Sequence, residues 1–490
     1  MESSAKKAAL VAVDLGAQSC RVSLLRWEKD HPKISVAHRF PNGPVATQEG
    51  LRWNIGKIFV GIKHGLRLCA EAAPEGIAAV GVDGWAVDYV RLNANGDVIG
   101  DPFCYRDERT LEAEKKVHQI ISPSRLYALT GIQLLSLNTL YQLYADKLAW
   151  KSPSTAWLNL PEYVTYRLGG QRVAEYTNAT HTQLVRLGTQ EWCEEIFQGI
   201  GLDMSAAPQI VPTGTVVGSM GGELNKLPAF RDTKLIVPAC HDTASAIAAI
   251  PARGDDWAFI SSGTWSLVGT VLKTPSVSEE ARRMNFTNLG GVGRSICCLK
   301  NVNGMWLLQQ CMDEWEKRGT PVTLSALLQE CEVLPAPDYL IDVDDPPLTL
   351  PGDMLGKISA QLQHAGRPAF SPGNRDIPLI ANMIFHSLAA RYSEVVTSVA
   401  AITGKKLKRL FIVGGGSKNS LLNRLTAERT GLEVILGSAE STTLGNFAIQ
   451  IATLQGGWND KTGVAASAVA QWAEELTAPS FEEVRKRKAV

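Results

Sequence analysis

A strand–turn–strand pattern occurs twice in this chain, and the two copies lie about half a chain apart. In each copy, apolar and β-branched runs flank a turn of small residues, Asp14–Ala17 in the first and Ser261–Thr264 in the second. Aligning Gly16 with Gly263 gives an offset of 247 residues in a chain of 490. The same alignment matches Ala17 with Thr264 and Ser19 with Ser266. Repetition at this spacing predicts a duplicated domain.

The length of the chain also predicts two domains, because a single hydrophobic core rarely extends beyond about 250–300 residues. Short apolar runs, such as residues 77–82, 234–237 and 407–413, alternate with helical patterns such as residues 378–403. This alternation is typical of α/β domains with parallel or mixed sheets. Residues 248–256 contain Pro, Gly and acidic residues that interrupt the pattern, and we expect a boundary there.

The composition excludes several classes of partner. Lysine plus arginine equals aspartate plus glutamate at 49 each, so the chain has no net charge to attract nucleic acid or an anionic membrane. The nine cysteines are odd in number and include no C-x-x-C pair, which indicates reduced thiols and no zinc site. No apolar stretch approaches the ~20 residues of a membrane span, and the N-terminus lacks a signal-peptide core. We therefore expect a cytoplasmic protein.

The two glycine-containing turns, residues 14–21 and 261–266, suit phosphate binding. A tight turn of small residues exposes successive backbone N–H groups that can hold a phosphate chain. Each turn taken alone is also explained as an ordinary hairpin turn, since Gly and Ser favour turns for conformational reasons. Neither is a Walker A loop, because the chain contains no G-x-x-x-x-G-K-[ST] sequence.

A strand leads into a helix at residues 237–248, and His241, Asp242 and Thr243 lie at the junction. Ligands commonly bind at this position in open α/β sheets. Asp242 would there be able to remove a proton from a substrate hydroxyl. The alternative is that Asp242 caps the helix, which is a common role for Asp at a helix start.

Two further segments have both a functional and a structural interpretation. Residues 81–90 contain Trp85 between two aspartates, which suits a sugar site, although a Trp at a strand end is more often part of the core. Residues 410–416 form a strand that ends in three glycines, which permits close approach of an adenine or a phosphate. They do not fit the dinucleotide pattern G-x-G-x-x-G, because its third glycine position is Asn419, and this disfavours a Rossmann-type dehydrogenase.

Taken together, these segments resemble the FGGY family of carbohydrate kinases, and within it the rhamnulokinases. The resemblance covers nearly the whole chain. The matching segments follow the family order at residues 11–22, 81–90, 105–110, 130–143, 175–184, 241–246, 261–267, 300–310 and 413–427. The most specific part is HDTASA followed by SSGTWSL and then by N-x-x-G-x-W-L-L-Q.

The resemblance implies a duplicated actin-like or hexokinase-like (ribonuclease H-like) α/β fold with two domains around a deep cleft. The implied domains are residues 1–250, which bind the sugar, and residues 251–465, which bind ATP. Residues 466–490 are expected to form a helical tail. This agrees with the duplication inferred from the two turns.

The resemblance also implies roles for individual residues, with Asp242 as the general base and Asp14 as a magnesium partner through water. The implied ATP contacts are Ala17, Gln18, Ser19, Cys20, Arg21, Thr264, Gln309 and Gly415. The implied sugar contacts are Ala86, His241, Asp242, Thr243 and Asn301. The implied reaction is the ATP-dependent and Mg²⁺-dependent conversion of L-rhamnulose to L-rhamnulose 1-phosphate in L-rhamnose catabolism. The partners are then the sugar and ATP, while the sequence leaves the oligomeric state open.

The chain departs from the rhamnulokinase pattern at several positions. Gln18 and Cys20 replace small residues in the first loop, and Glu162 replaces an aspartate. Gly84 and Ala86 replace the threonine and glycine of D-T-W-G-V-D, which would alter the ketose that fits. Two alternatives remain: a family member specific for another ketose such as L-fuculose or L-xylulose, and a non-catalytic ATP-binding protein of the same fold.

Overall fold

A computed structural model describes residues 8–29, 31–149, 155–370 and 376–487, with side chains up to residue 477. The chain divides into two compact units. Unit 1 combines residues 1–252, 271–297 and 441–490, and unit 2 combines residues 253–270 and 298–440. The chain first leaves unit 1 within the boundary region predicted from the sequence. Both units take in separated stretches of chain, so the linear division at residues 250 and 465 stays a prediction.

The strands are numbered in chain order. They are β1 (Ala9–Leu15), β2 (Ser19–Glu28), β3 (His31–Pro41), β4 (Val45–Thr47), β5 (Gly50–Arg52), β6 (Ile77–Gly84), β7 (Tyr89–Leu92), β8 (Ala156–Asn159), β9 (Val173–Glu175), β10 (Gln209–Val211), β11 (Thr215–Ser219), β12 (Lys234–Val237), β13 (Trp257–Ser262), β14 (Trp265–Leu272), β15 (Thr287–Gly290), β16 (Ile296–Asn303), β17 (Arg409–Val413), β18 (Glu433–Leu436), β19 (Trp458–Asn459) and β20 (Gly463–Val464).

The helices are numbered in the same way. They are α1 (Ile55–Ala72), α2 (Arg109–Ile120), α3 (Pro123–Thr130), α4 (Thr139–Ala149), α5 (Leu160–Arg167), α6 (Tyr176–His181), α7 (Glu194–Ile200), α8 (Asp242–Ala248), α9 (Glu279–Arg283), α10 (Trp306–Lys317), α11 (Leu324–Glu332), α12 (Met354–His364), α13 (Ile377–Thr403), α14 (Ser420–Thr430), α15 (Ser441–Leu454) and α16 (Ala466–Arg487). Short 3₁₀ turns include Gly415–Lys418 after β17.

The main sheet of unit 1 has the strand order β11-β12-β6-β1-β2-β3. Strand β1 pairs antiparallel with β2 and parallel with β6, and β6 pairs parallel with β12. All seven residues of β1 are buried, as expected for an apolar run in the middle of a sheet. The outer strand β3 is largely exposed and carries Pro32 and Lys33, which are typical of a sheet edge.

The sheet of unit 2 repeats this arrangement. Its strands include the series β16-β14-β13-β17-β18. Strand β13 pairs antiparallel with β14 and parallel with β17, and β17 pairs parallel with β18. Strands β13, β14, β17 and β18 therefore correspond to β1, β2, β6 and β12. The duplication predicted from the two turns is confirmed, and so is the α/β fold class.

Helix α15 is the central helix of the core of unit 1. It packs against α8, β1, β6 and α16, and Leu444, Phe447 and Ile451 from it join Leu10 and Ile236 in one buried cluster. A second cluster lies among α2, α3, α4 and α7. Among the described residues, no helix is both long and apolar enough to cross a membrane.

Candidate active site

The first predicted phosphate loop joins β1 to β2 and is held by Asn42. A side chain at Gly16 would collide with the Ser19 carbonyl group, so the turn itself requires glycine. Asn42, just after β3, donates its backbone N–H to Gln18 O at 2.9 Å and its Nδ2 to Gly16 O at 3.0 Å. The sequence did not reveal Asn42, because the pairing of β2 with β3 brings it to the loop.

The side chains of this loop differ in their exposure to solvent. Ala17 and Ser19 are half-buried, and Gln18 is exposed. The Cys20 thiol is buried, with Sγ 3.7 Å from Gly16 O. Burial raises the pKa of Cys20 to about 12, so the thiol stays protonated. Contact between Cys20 and a phosphate would therefore come from its backbone N–H.

Three aspartates lie at the carboxyl edge of the unit 1 sheet. Asp14 and Asp83 are paired residues at the ends of the parallel strands β1 and β6. Asp242 follows β12, and its neighbour His241 forms a β-bridge with Gly84 at the end of β6. The parallel direction of the three strands brings these carboxylates to one edge, although they are far apart in the sequence.

Arg21 provides positive charge at this edge. It faces Asp14 across the antiparallel pair of β1 and β2, and its Nε lies 3.1 Å from Asp14 Oδ2. The arginine therefore offsets part of the negative charge of the aspartates. A guanidinium in this position also suits the binding of phosphate oxygens.

Asp242 has the environment of a base that titrates near neutral pH. Burial, followed by the charge of Asp14, raises its pKa to about 7. Its carboxylate accepts the Thr243 hydroxyl at 3.2 Å and still keeps 33% of its side-chain surface exposed. Asp242 is the first residue of α8, while His241 occupies the cap position. The simple helix-cap explanation therefore does not fit.

His241 is a neutral side chain packed beside Asp242. Its Nε2 lies 3.6 Å from Asp242 Oδ1, and its ring meets the His181 ring edge-on at 4.8 Å. Burial and then His181 lower the pKa of His241 well below its usual value. Burial likewise lowers the pKa of His181 to about 4. At neutral pH the contact between His241 and Asp242 is therefore not an ion pair.

Glu175 and Thr177 hold the backbone just before Asp242. Glu175 Oε2 accepts the Cys240 N–H at 2.9 Å, and Thr177 Oγ1 accepts the His241 N–H at 3.3 Å. Both side chains are fully buried at the start of α6. No role for these two residues is predictable from the sequence, because the signal lies in long-range hydrogen bonds.

The segment after β6 combines a buried tryptophan with a strained backbone. Trp85 is 6% exposed, its ring centroid lies 4.5 Å from that of Trp53, and its Nε1 donates to Asp88 Oδ2 at 3.0 Å. Trp85 is therefore part of the core. Val87 has φ 69°, which is unfavourable for a β-branched residue. Thr139 Oγ1 donates to Val87 O at 2.7 Å and holds this conformation.

Gly84 and Ala86, two departures from the rhamnulokinase pattern, lie in different surroundings. A Cβ atom on Gly84 would lie 2.6 Å from the Leu15 Cβ, because β1 and β6 approach closely there. Gly84 therefore packs inside unit 1. Ala86, 7% exposed, is the neighbour of the strained Val87. Strain of this kind, about 1–3 kcal/mol, is concentrated at ligand sites.

The second predicted phosphate loop, in unit 2, is held by the segment that precedes α10. Met305 N–H donates to Gly263 O at 3.1 Å, and Trp306 N–H donates to Thr264 O at 3.2 Å. Gly304 has no room for a side chain, because a Cβ atom would lie 2.8 Å from Gly263 O. This packing explains the glycine of the N-x-x-G-x-W motif. At Gly263 itself a Cβ atom would meet nothing closer than 3.8 Å.

Other predicted residues of unit 2 lie near this loop or on neighbouring elements. The loop after β17 meets β13, since a side chain on Gly416 would collide with Ser262. The neighbouring Gly415 borders open space, where a Cβ atom would meet nothing within 4 Å. Gln309 is on α10 and donates to Asp313 Oδ1 at 2.8 Å. Asn301 is half-buried on β16.

The predicted residues are therefore divided between the units. Unit 1 brings Asp14, Arg21 and Asp242 to one sheet edge, with His241 and Thr243 beside Asp242. Unit 2 contains the sets around Thr264 and Gly415. Within the described residues, no group of three or more His, Cys, Asp and Glu side chains is placed to bind a metal ion. A magnesium ion would thus depend on few protein ligands, as is usual where substrate phosphates complete its shell.

Family models match most of the chain. The N-terminal domain of the FGGY family of carbohydrate kinases matches residues 9–249, and its C-terminal domain matches residues 258–454. This chain belongs to the FGGY family of carbohydrate kinases. A curated relative is the rhamnulokinase of Bacteroides thetaiotaomicron, 36% identical over 446 residues, which are 90% of each chain. The predicted family and the prediction of an enzyme are confirmed.

Solved structures of sugar and polyol kinases share the fold of this FGGY kinase. Xylulose kinase from Lactobacillus acidophilus has a TM-score of 0.74 with 16% identity and 98% coverage of both chains. Gluconate kinase from the same organism has a TM-score of 0.74 with 16% identity and 99% coverage of both. Plasmodium falciparum glycerol kinase with ADP has a TM-score of 0.72 with 12% identity and 99% coverage of both. At these identities the likeness concerns the fold alone.

The matched C-terminal domain of this FGGY kinase does not coincide with unit 2. Residues 271–297 and 441–454 lie within the matched segment 258–454, yet they belong to unit 1. Helix α15 in particular packs against α8, which begins with Asp242. A segment late in the chain thus supports the candidate base.

Proposed function

We propose that this kinase transfers the γ-phosphoryl group of ATP to the primary hydroxyl of a ketose, with L-rhamnulose as the preferred substrate. The product is L-rhamnulose 1-phosphate. The proposal rests first on the 36% identity, over 90% of both chains, with a curated rhamnulokinase. It rests also on Asp242, a carboxylate at a strand–helix junction whose pKa of about 7 suits a base.

The mechanism assigns the proton transfer to Asp242. Its carboxylate accepts the hydroxyl proton while the sugar oxygen attacks the γ-phosphorus, the bond from phosphorus to the ADP oxygen breaks, and ADP leaves. Thr243 orients the carboxylate through its hydroxyl. His241 is neutral. It therefore adds no positive charge that would lower the pKa of Asp242 and weaken it as a base.

The remaining polar groups stabilise charge on the phosphates. We assign the phosphate contacts to backbone N–H groups of residues 17–21, to the Arg21 guanidinium and to the loop around Thr264. Gly415 leaves room for the nucleotide, and Gln309 and Asn301 are assigned to nucleotide and sugar. Asp14 would hold Mg²⁺ through water, and the ion when bound would neutralise phosphate charge.

The choice of ketose depends chiefly on Ala86 in this proposal. Gly84 packs against Leu15, so a threonine, as in the rhamnulokinase pattern, has no space there without a shift of the two strands. Ala86 adds one methyl group beside the sugar contacts. A single methyl group typically changes discrimination by about 1–3 kcal/mol. An L-fuculose or L-xylulose kinase is the alternative outcome.

The test is a coupled assay of ADP release with Mg-ATP and a panel of ketoses that begins with L-rhamnulose. We expect the highest kcat/KM with L-rhamnulose. Asp242→Asn should lower kcat at least about 100-fold. The variant should remain as stable as the wild type, because it replaces a half-buried carboxylate beside Asp14 by a neutral amide of the same shape.

The pH dependence provides a second check on Asp242. The base must be deprotonated, so kcat/KM should rise with pH, about tenfold per unit below pH 7, and level off above its pKa of about 7. If kcat/KM is highest with another ketose, the mechanism stands but the substrate is different. Ala86→Gly then tests whether Ala86 sets the choice of ketose. ATP binding without ADP release from any sugar would favour a non-catalytic protein instead.

A further inference from the structure

Helix α6 and the residue before it contact the loop that precedes Asp242 at three points. Glu175 accepts the Cys240 N–H at 2.9 Å. Thr177 Oγ1 accepts the His241 N–H at 3.3 Å. The His181 ring packs edge-on against the His241 ring at 4.8 Å. The two consecutive N–H groups lie between the end of β12 and the start of α8, so neither the sheet nor the helix ladder pairs them.

The Thr177 hydroxyl connects the carboxylate to the loop. It donates to Glu175 Oε2 at 2.5 Å while it accepts the His241 N–H at 3.3 Å. A hydroxyl suits this position because it donates and accepts at once. Glu175 and Thr177 are both fully buried, so water does not readily replace a lost bond.

The other carboxylate oxygen of Glu175 has a similar partner that does not reach the loop. Thr213 Oγ1 donates to Glu175 Oε1 at 2.5 Å, and Thr213 is also buried. Thr177 and Thr213 therefore make equivalent hydroxyl bonds to one carboxylate. They differ because the Thr177 hydroxyl also accepts the His241 N–H, whereas the Thr213 hydroxyl does not reach the loop.

We propose that Glu175 and Thr177 are positioning residues for phosphoryl transfer, which fix the Cys240–His241 backbone and through it the carboxylate of Asp242. The kinetic part of this proposal rests on the proposed kinase activity. Reacting groups in a phosphoryl transfer must be aligned closely, and a displacement of about 1 Å can cost on the order of 100-fold in rate. A threonine or a glutamate that only stabilised the core would not have this effect.

The test compares Thr177→Val with Thr213→Val in the full chain. Each variant removes one buried hydroxyl from the same carboxylate and keeps the side-chain shape. Hydrogen exchange of peptides that cover residues 238–243 should become faster in Thr177→Val and remain at the wild-type rate in Thr213→Val. In the coupled assay, Thr177→Val should lower kcat about 10-fold to 100-fold, with KM for ATP within about twofold. Thr213→Val should keep kcat within about threefold.

Thr177→Ser provides the rescue, because it restores a hydroxyl at the same position. It should recover slow exchange and most of kcat. Should Thr177→Val fail to fold, Glu175→Gln takes its place, since the amide keeps an acceptor oxygen but weakens the bonds to Cys240, Thr177 and Thr213. We expect faster exchange at Cys240 and a lower kcat in that variant.

The outcomes separate this inference from the proposed function. Equal exchange in Thr177→Val and Thr213→Val overturns the inference, and so does faster exchange with an unchanged kcat. A wild-type protein that releases no ADP with any ketose contradicts the proposed function. The exchange measurement needs no turnover, so it still decides in that case whether Thr177 anchors the loop.

Discussion

Two neighbouring glycines after β17 illustrate how one residue type serves two purposes. A Cβ atom at Gly416 would overlap the Ser262 side chain, so the packing of β17 against β13 excludes any larger residue. Gly415 has a φ outside the left-handed region and faces open space. The protein itself therefore does not require glycine at position 415. A ligand that approaches the backbone closely would explain it.

We expect substitutions at Gly415 and Gly416 to have different effects. Gly415→Ala should leave the free energy of unfolding within about 0.5 kcal/mol of the wild type, but raise the KM for ATP about tenfold, because a methyl group occupies ligand space. Gly416→Ala should cost about 1–3 kcal/mol of stability through overpacking. Denaturant unfolding and steady-state kinetics measure the two effects. An unchanged KM in a stable Gly415→Ala protein would remove Gly415 from the nucleotide site.

At the scale of elements, α15 depends on small residues for its place against the sheet and α8. A Cβ atom at Gly445 would overlap the Ser245 carbonyl group in α8, and one at Gly81 would lie 2.5 Å from Asn446 Oδ1. The close approach lets Asn446 Nδ2 donate to Asp83 Oδ2 at 2.5 Å. It also lets Gln450 Nε2 donate to the backbone carbonyl of β1 at 3.0 Å. These buried amides fix the helix against the edge that carries the aspartates.

The element-scale prediction is that Gly445→Ala separates α15 from α8. A backbone carbonyl cannot move aside as a flexible side chain does, so the substitution should cost about 2–4 kcal/mol. It should also lower kcat, because α8 begins with Asp242. Gly56→Ala in α1 is the matched control, since the nearest atom to its Cβ would be 3.6 Å away. The control should be neutral or stabilise by up to about 1 kcal/mol.

Denaturant titrations and kcat measurements on Gly445→Ala and Gly56→Ala test whether α15 and α8 need their close contact. Equal stabilities for Gly445→Ala and Gly56→Ala would mean that α15 and α8 do not need their close contact. A loss of stability in Gly445→Ala with an unchanged kcat would separate the packing of α15 from the placement of the base.

At the scale of the whole molecule, several buried acids make stability depend on pH in one direction. Burial raises the pKa of Asp88 to about 6. Burial, followed by the charge of Glu175, raises the pKa of Glu162 to about 8. Above its ordinary pKa of 4.5, Glu162 ionises in the unfolded chain but stays protonated in the folded one. Its contribution to stability is therefore complete below pH 4.5 and is lost as the pH rises through about 8.

The corresponding prediction is that the free energy of unfolding falls between pH 6.5 and pH 8, because below that range the buried and neutral His181 and His241 oppose the effect of the acids. Glu162→Gln should make this decline shallower by up to about 1.4 kcal/mol per pH unit, because an amide does not titrate. Asn178, which donates to Glu162 at 2.9 Å, can turn its amide to accept from the new one. Urea titrations at pH 5, 6.5 and 8 measure the slope. The same slope in both proteins would show that Glu162 is ionised in the folded state.

The fold class, the duplication and the base candidate are predictable from the sequence alone. Local patterns sufficed for these: apolar runs mark β1 and β13, glycines mark the turns after them, and the strand–helix junction marks Asp242. Family resemblance supplied the chemistry of those positions. The matched family and the repeated sheet order confirm the fold and the kinase class.

The distant residues that support those positions are visible only in the folded protein. Parallel pairing brings Asp14, Asp83 and Asp242 to one edge, and burial, followed by the nearby charge of Asp14, raises the pKa of Asp242. Asn42, Thr177 and the whole of α15 reach their partners through long-range hydrogen bonds and packing. Such contacts join residues remote in the sequence, and no local periodicity encodes them. The placement of the candidate base is therefore a property of the packed structure, while its identity is readable in the chain.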